Sequence, residues 1–502
     1  MEPNAGTSGV ERQVVALMPA LALCVLGYGI TLQVYGFYDI WDGIRYLGGG
    51  ISLIVDGLGS PLPIFYKSGL AMTDFAEPRI LTYASIPFQL WAALTAGITQ
   101  PAIIKVVVAH SVLYVLSGLY VYALARTLVS AEVGLLAVGV LCAGLAIGDL
   151  YSKTMIRPLP DAFLVLCFVA SVYHMRSGQA FLAGLWAAIG VTFKLQGVEF
   201  LWLAALLSQD RRQFTMFVLT MIAGFVTINV WLQGFESQGG AGNYGFYLSV
   251  AGSVPLTTVI LRCITELPAT LIALLGTWTY VATLAVTPLM LIGAWLTPNK
   301  DHARFIGFAV ATAHWVAWTS YHTMSIFLGG GYDERYLVYP IPLVVVATFV
   351  ATKRLLPERA WVRYSMVGLA FAVLLVPALR ADWHENRLDV SFPELGLASL
   401  SSPALVGIGS AEYASFEIYA ASKNRTMVWL PYDRAEFLAG DNRHFDYLIF
   451  GGRWEDPYAS WNNLTDGSKP IRDAFGNEFT LVQRTDYYRI FKRSALSVPS
   501  GR

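Results

Sequence analysis

The sequence is poor in charged residues for its length. Only 14% of its 502 residues are Asp, Glu, Lys or Arg, whereas soluble globular proteins carry roughly a quarter. Hydrophobic residues make up 55% of the chain, and the mean hydropathy is +0.53. A surface with so few charges does not suit an ordinary soluble enzyme, so the composition indicates a protein that exposes much of its surface to lipid.

Cysteines and the common catalytic motifs are also scarce. The four cysteines lie within apolar runs, and residues 380–502 contain none, so we expect buried thiols rather than disulfides. No His-x-x-x-His or Cys-x-x-Cys pair gives a zinc site that can be read from the sequence. The absence of Gly-x-Ser-x-Gly and of a glycine-rich phosphate loop argues against a lipase and an ATP-driven pump. A net charge of +0 without a basic stripe argues against a nucleic-acid partner.

Long apolar runs are abundant, and they predict a multi-span α-helical membrane protein. Because crossing a bilayer takes about 20 apolar residues, we predict about eleven transmembrane helices. The short pair at 179–195 and 196–208 is either two half-helices or one tilted helix broken near Gly197. The stretch 80–97, which Pro87 interrupts, is predicted to be an interfacial helix. The predicted spans are 14–34, 101–127, 131–148, 158–174, 179–195, 196–208, 213–233, 269–296, 303–323, 337–352 and 361–379.

The basic residues predict how the chain is oriented. Span 14–34 is longer than a signal-peptide core and no small-residue cleavage site follows it, so we interpret it as a retained helix. Lys and Arg in short loops mark the cytoplasmic side, which predicts a cytoplasmic N-terminus and places the long segments 35–100, 234–268 and 324–336 outside. The basic residues that fall on the cytoplasmic side are Arg12, Arg126, Arg176, Arg211, Arg212, Lys300, Arg304, Lys353, Arg354, Arg359 and Arg363.

Residues 380–502 have a different pattern, with short apolar runs of strand length. An odd number of spans places this region outside the membrane, where we predict a small extracytoplasmic α/β domain. Residues 1–379 then form the transmembrane module, with 35–100 as its long first outer loop. The predicted elements are strands at 404–408, 427–430 and 447–450, a helix at 411–421, and a terminal hairpin of 479–483 and 487–492.

Four charged clusters at the predicted membrane edges are the candidates for chemistry, because ionisable groups there are costly. The acidic and basic residues alone are also consistent with helix starts, snorkelling cations and flexible loops. The clusters are Asp39, Asp42 and Tyr46 after the first span; Asp149, Lys153, Arg157 and Asp161 between two spans; Lys194 at the break near Gly197; and Glu334 with Arg335 after a run of three glycines. Glu77-Pro78-Arg79 is a similar charged pair before the interfacial stretch.

The order of these features resembles the polytopic class C glycosyltransferases that use a polyprenyl-phosphate sugar, whose members include protein O-mannosyltransferases and the aminoarabinose transferase acting on lipid A. The resemblance covers nearly the whole chain. Asp42 and Tyr46 are similar to the acidic start of the family's first outer loop, although Gly43 replaces a glutamate there. Asp161, Lys194 and the Arg335-Tyr336 pair followed by Pro340 are similar to later family positions.

The resemblance implies an inverting transfer of sugar from the lipid phosphate to an acceptor, and it implies roles for the charged residues. Asp42 is the expected general base, with Asp39 as the alternative and Asp161 as a third catalytic carboxylate. Four cationic side chains are expected to bind the donor phosphate. The cations are Arg79, Arg157, Lys194 and Arg335, and the further site residues are Glu77, Tyr46 and Glu334.

Several alternatives stay open at this level. A lipid or solute transporter, or a flippase, would use the same charges without chemistry, and a phosphotransferase would call for metal ligands that the sequence does not reveal. We expect no organic cofactor, and a divalent metal is left open. The expected partners are the lipid-linked sugar and a glycan, lipid or protein acceptor. The expected location is a bacterial inner or plasma membrane.

Overall fold

The computed structural model divides the chain into two compact units. One comprises Met1–Tyr38, Val107–Gln233 and Asn243–Arg387, and the other comprises Asp39–Val106, Gly234–Gly242 and Leu388–Arg502. The residues that the structure describes are 7–35, 64–65, 86–96, 103–144, 148–157, 159–236, 255–327, 334–353, 360–375, 379, 405–408, 426–429, 434–451, 470–484 and 488–494. The predicted boundary between 1–379 and 380–502 stays a prediction.

Helices dominate the described part of the chain up to residue 372. In the three long apolar segments Leu17–Val34, Val108–Leu128 and Trp278–Leu296, between 28% and 50% of the residues are buried by the rest of the protein, so much of their apolar surface is left exposed. The α-helices are α1 (Thr7–Tyr35), α2 (Ile86–Ala96), α3 (Ile103–Leu128), α4 (Ala131–Cys142), α5 (Gly148–Ile156), α6 (Asp161–Arg176), α7 (Ala180–Phe193), α8 (Arg211–Glu236), α9 (Leu256–Thr265), α10 (Leu267–Leu275), α11 (Trp278–Leu296), α12 (Lys300–Phe327), α13 (Ile341–Thr352) and α14 (Ala360–Ala372). Three 3-10 helices span Leu195–Glu199, Leu201–Leu207 and Glu334–Val338.

Three helical segments of the described residues are long and apolar enough to cross a membrane: Leu17–Val34, Val108–Leu128 and Trp278–Leu296. A fourth span results if α5 and α6, which are bent by 116° at the break between them, are counted as one. Shorter apolar helices include α4, α7 and α13. These lengths fit a multi-span membrane protein, and the predicted count of about eleven spans stays a prediction.

The break predicted near Gly197 lies three residues earlier, at Lys194. Helix α7 ends at Phe193, and 3-10 helices replace the α-helix from Leu195 to Leu207. Backbone groups freed by such a break need other partners within an apolar bundle. The carbonyl oxygen of Glu199 accepts hydrogen bonds from the indoles of Trp202 and Trp315, at 3.2 and 2.9 Å. Side chains therefore replace the helical hydrogen bonds that the break removes.

Arg304 forms hydrogen bonds at the C-terminal end of this segment. Its guanidinium donates to the carbonyl oxygens of Leu206, at 2.5 Å, and Ser208, at 2.7 Å. Two glycines let the segment pack tightly, since a Cβ added at Gly190 or Gly197 would lie 2.7 Å from the Leu201 side chain. The broken segment is thus fixed by polar side chains at its carbonyls and by glycine at its closest contacts.

Three of the predicted segments differ in detail from the structure. The span expected at 269–296 is shorter, since the helix that is long and apolar enough to cross a membrane runs from Trp278 to Leu296, and Gly276 and Thr277 separate it from α10. The segment 234–268, which was predicted to lie outside the membrane, contains helix α9, and its placement stays a prediction. Pro87 does not interrupt a helix, since it is the second residue of α2, a position in the first turn where no backbone N–H is required.

The described residues of the second unit form a seven-stranded sheet with the order β1-β3-β2-β4-β7-β6-β5. β2 pairs in parallel with both β3 and β4. The other pairs are antiparallel: β4 with β7, β7 with β6, and β6 with β5. The strands are β1 (Ile64–Phe65), β2 (Leu405–Ile408), β3 (Thr426–Trp429), β4 (Tyr447–Gly451), β5 (Ile471–Arg472), β6 (Glu478–Arg484) and β7 (Tyr488–Arg493). A short helix, α15 (Arg434–Ala439), contributes to this unit's apolar core.

The strands expected near 404–408, 427–430 and 447–450, and the terminal hairpin, correspond to β2, β3, β4 and the β6–β7 pair. β1 was not expected, and it brings residues of the long first loop into the sheet as a parallel partner of β3. The predicted helix at 411–421 lies outside the described residues. The core beneath the antiparallel strands is aromatic and includes Phe437, Phe445, Phe450, Phe479 and Phe491.

Candidate active site at the helix break

The helix break places Lys194 in an extended conformation, with φ −154° and ψ 119°. Its backbone N–H still donates to the carbonyl oxygen of Gly190, so the residue closes α7 while its side chain leaves the helix. The ammonium lies 2.7 Å from Oδ1 of Asp161, with the lysine side chain 17% exposed and the aspartate side chain 2%. The break therefore joins two charged residues that are 33 positions apart.

Asp161 is the first residue of α6 and is buried. Pro160 precedes it, which suits a helix start because proline fixes a helical φ angle and needs no hydrogen-bond acceptor there. A carboxylate at this end of a helix also meets the positive end of the helix dipole. Burying the charge is costly without a partner, and Lys194 supplies the partner.

Tyr339 completes the contacts of this carboxylate. Its hydroxyl donates to Oδ1 of Asp161 at 2.5 Å, and the Lys194 ammonium donates to the same hydroxyl at 3.3 Å. The Tyr339 ring stacks on Phe200, with the ring centroids 4.7 Å apart and the planes 18° from parallel. Tyr339 follows the 3-10 helix Glu334–Val338 directly, so this short helix also contributes to the site.

Arg335 and Tyr336, on that 3-10 helix, add a second cation and an aromatic face. Lys194 Nζ lies 4.7 Å from the centroid of the Tyr336 ring, and Arg335 Cζ lies 5.3 Å from it. The Arg335 guanidinium also donates to the Tyr336 hydroxyl at 3.4 Å. Lys194 and Arg335 thus both lie against the Tyr336 ring. Of the three charged residues described together here, two are cations and one is a carboxylate, and this excess of positive charge suits an anionic ligand.

The structure thus brings together three of the predicted site residues: Lys194 pairs with Asp161, and Lys194 and Arg335 both contact the Tyr336 ring. Arg157 lies just before them, and its backbone N–H donates to the Thr154 carbonyl oxygen. Within the described part of the chain, no hydrogen bond or ion pair joins its guanidinium to Asp161. Glu334 begins the 3-10 helix, but its side chain is not described. The predicted site residues that lie outside the described residues are Asp39, Asp42, Tyr46, Glu77 and Arg79.

Sequence reasoning missed Tyr339 and Phe200. A usable signal was the position of Tyr339 three residues after Tyr336 and directly before Pro340, which places a second aromatic residue beside the Arg335-Tyr336 pair. The contact with Phe200 had no such signal, because it joins positions on two separate segments. Among the described residues, no group of three or more His, Cys, Asp or Glu side chains could hold a metal ion.

No protein-family model matches the sequence, and no curated protein matches it. Solved structures do match the fold. The structure of ArnT from Cupriavidus metallidurans bound to undecaprenyl phosphate superposes with a TM-score of 0.57 and 11% identity, covering 98% of this chain and 100% of that one. The apo structure of the same ArnT gives 0.59 and 10% identity, covering 96% and 98%. The chain has the class C glycosyltransferase fold.

The resemblance predicted from the sequence is therefore confirmed at the level of the fold. The class C fold and the apolar helices together fit a multi-span membrane protein. The oligosaccharyltransferase from Archaeoglobus fulgidus, tethered with an acceptor peptide, is also similar, with a TM-score of 0.44 and 12% identity over 96% of this chain and 74% of that one. Because sequence identity is this low, the activity of the chain has to be argued from its own residues.

Proposed function

We propose that this chain is a membrane-embedded glycosyltransferase that transfers a sugar from a polyprenyl-phosphate-linked donor to an acceptor on the outer face of the membrane. The observation that carries the proposal is the cluster of buried Asp161 with the partly exposed Lys194 and Arg335 at a helix break within a class C fold. A net positive site among apolar helices suits a ligand with an anionic headgroup and an apolar tail, which is the chemistry of a lipid phosphate.

In the proposed reaction, an acceptor hydroxyl oxygen attacks the anomeric carbon of the donor sugar. The bond from that carbon to the phosphate oxygen breaks, and the polyprenyl phosphate leaves with the bonding electron pair. The hydroxyl proton passes to a carboxylate, for which Asp42 is our choice and Asp39 the alternative. One such displacement inverts the configuration at the anomeric carbon.

Arg335 is proposed to bind the donor phosphate, since a guanidinium can give two parallel hydrogen bonds to phosphate oxygens. Lys194 adds positive charge that stabilises the phosphate as negative charge develops on it. Asp161 is proposed to hold Lys194 in place rather than to act as the base, because its Oδ1 already accepts hydrogen bonds from Lys194 and Tyr339. Arg79 and Arg157 remain proposed phosphate contacts, and Glu77, Tyr46 and Glu334 remain proposed site residues.

The distribution of Lys and Arg in the short loops supports the proposed placement. The N-terminus is cytoplasmic, residues 380–502 form an α/β domain outside a bacterial inner membrane, and the first outer loop meets the donor near the headgroups. The acceptor is a glycan, a lipid or a protein. Titration with divalent cations and a chelator would establish whether a metal takes part.

The test is product analysis with the purified protein in proteoliposomes, using a polyprenyl-phosphate donor labelled in the sugar. We expect label to move to the acceptor, and Arg335→Gln to slow this transfer about 100-fold. Arg212→Gln is the matched control, since Arg212 is exposed at the start of α8. Label that crosses the bilayer still attached to the lipid phosphate would instead identify a flippase, and would refute the proposal.

A further inference from the structure

Tyr339 has no role in the proposed reaction so far, although it contacts both residues of the Asp161–Lys194 ion pair. Its hydroxyl donates to Asp161 Oδ1 at 2.5 Å and accepts from Lys194 Nζ at 3.3 Å. Lys194 also donates directly to the same Oδ1 at 2.7 Å. The three groups therefore form a closed triangle of hydrogen bonds. Among the described residues, both hydrogen bonds to the carboxylate are accepted by Oδ1.

The protons in this triangle define what Tyr339 can do. A tyrosine hydroxyl carries a single proton, and here that proton is directed to Asp161. The oxygen accepts a hydrogen bond from Lys194. Tyr339 therefore does not have a proton to give to a substrate while it holds the pair. The geometry fits a residue that acts through Asp161 and Lys194 rather than one that touches the reacting atoms.

The ring of Tyr339 is itself held firmly. It is 1% exposed and stacks on Phe200. Phe200 in turn packs edge-on against Phe168 of α6, with the ring centroids 5.1 Å apart. Because Phe200 lies between the two 3-10 helices that follow Lys194, the stack links the broken segment to the helix that begins with Asp161. The hydroxyl position is thus fixed from both sides of the break.

We infer that Tyr339 is a positioning residue that sets how Asp161 and Lys194 present their charges to the donor phosphate. Without the hydroxyl, Lys194 would still pair with Asp161, but the ammonium would lose one of the two oxygens that define its direction. This inference rests on the proposed function. It adds a residue that the sequence analysis did not consider, and it predicts a kinetic signature distinct from that of a phosphate contact.

The first test is Tyr339→Phe, which removes the hydroxyl and keeps the ring that stacks on Phe200. Because Arg335 remains to bind the phosphate, we expect KM for the lipid-linked donor to stay within about twofold while kcat falls about tenfold. Tyr120→Phe is the matched control, since it deletes a hydroxyl that hydrogen-bonds to His174 elsewhere in the bundle. The control is expected to retain the wild-type kcat and KM.

The second test asks whether Tyr339 acts through Asp161. If it does, Tyr339→Phe adds no further loss in an Asp161→Asn background, because the group it positions is already altered. A residue that acts independently of Asp161 would give a multiplicative loss in kcat, and a purely structural residue would lower the unfolding midpoint without changing kcat per folded molecule. Should Tyr339→Phe not accumulate as folded protein, Phe200→Leu removes the ring support and keeps the hydroxyl, and a fall in kcat at constant KM is again expected.

The outcomes separate this inference from the proposed function. Wild-type transfer with a full rate for Tyr339→Phe would overturn the inference alone. Multiplicative losses in the double variant would overturn it as well. A wild-type protein that transfers no sugar at all would overturn the proposed function, and the inference with it.

Discussion

Two buried aspartates, one in each unit, meet their hydrogen-bonding needs in different ways. Asp161 is 1% exposed and Asp473 is 7% exposed. Asp473 lies in a turn before β6 and uses both oxygens, accepting from the backbone N–H groups of Asn442, Phe475 and Asn477 and from the Asn477 amide, at 2.8 to 3.0 Å. Asp161 accepts from Lys194 and Tyr339 on one oxygen.

The difference indicates what each carboxylate is for. The four donors around Asp473 are neutral and come from its own turn and the neighbouring loop, so its burial is explained by the fold. The donors to Asp161 come from two distant segments, one is charged, and Arg335 stands nearby. Breaking a buried ion pair is expensive, so a site that keeps one beside a second cation is suited to a charged ligand.

The largest effect is expected at Asp42, the carboxylate proposed as the general base. Its substitution would show whether the base is a residue other than the buried Asp161 and Asp473. We expect Asp42→Asn to slow sugar transfer by about 100- to 10,000-fold, because general base catalysis contributes on that order. The measurement is the initial rate of label transfer per folded molecule. Asp39→Asn is the companion variant, and a full rate for Asp42→Asn with a large loss for Asp39→Asn would reassign the base to Asp39.

The next effect separates stability from activity at the Asp161 pair. Lys194→Met leaves a buried carboxylate without its cation, so we expect unfolding to become about 3–5 kcal/mol easier. Adding Asp161→Asn removes the unpaired charge and keeps an acceptor for Tyr339. We therefore expect the double variant to have most of the wild-type free energy of unfolding. Thermal unfolding in detergent reports this recovery.

Transfer activity of that double variant should remain as low as that of Lys194→Met, because the charge that stabilises the leaving phosphate is still missing. Recovery of activity together with stability would mean that the pair is only structural, which would remove the contrast with Asp473.

A smaller effect is expected at Asp473 itself. Asp473→Asn would turn an NH2 group toward donors that now meet a carboxylate oxygen, so we expect a loss of about 1–3 kcal/mol in the stability of the sheet unit. Limited proteolysis and thermal unfolding measure this loss. At a temperature where the variant is folded, its transfer rate should equal that of the wild type, and a specific loss of rate would contradict the structural role.

The sequence was informative where one residue carried its own signal. A lysine inside an apolar run predicted a special environment for Lys194, and a proline before a helix predicted the position of Asp161 at its start. The class C resemblance depended on the order of such features, and the fold confirms it.

Contacts between residues far apart in the chain could not be predicted from the sequence in the same way. Asp161 and Tyr339 are 178 positions apart, and no periodicity links them. β1 is only two residues long, so it has no alternating pattern to detect, and its parallel pairing with β3 depends on the folded chain. Pro87 was read as an interruption because the start of α2 could not be located without the backbone.

The most direct test of the account compares the two aspartates in one assay, as single-turnover transfer of labelled sugar from a polyprenyl-phosphate donor per folded molecule. We predict that Asp161→Asn slows this step about 100-fold, while Asp473→Asn proceeds at the wild-type rate. Equal rates for Asp161→Asn and the wild type would contradict the claim that the helix break forms the active site.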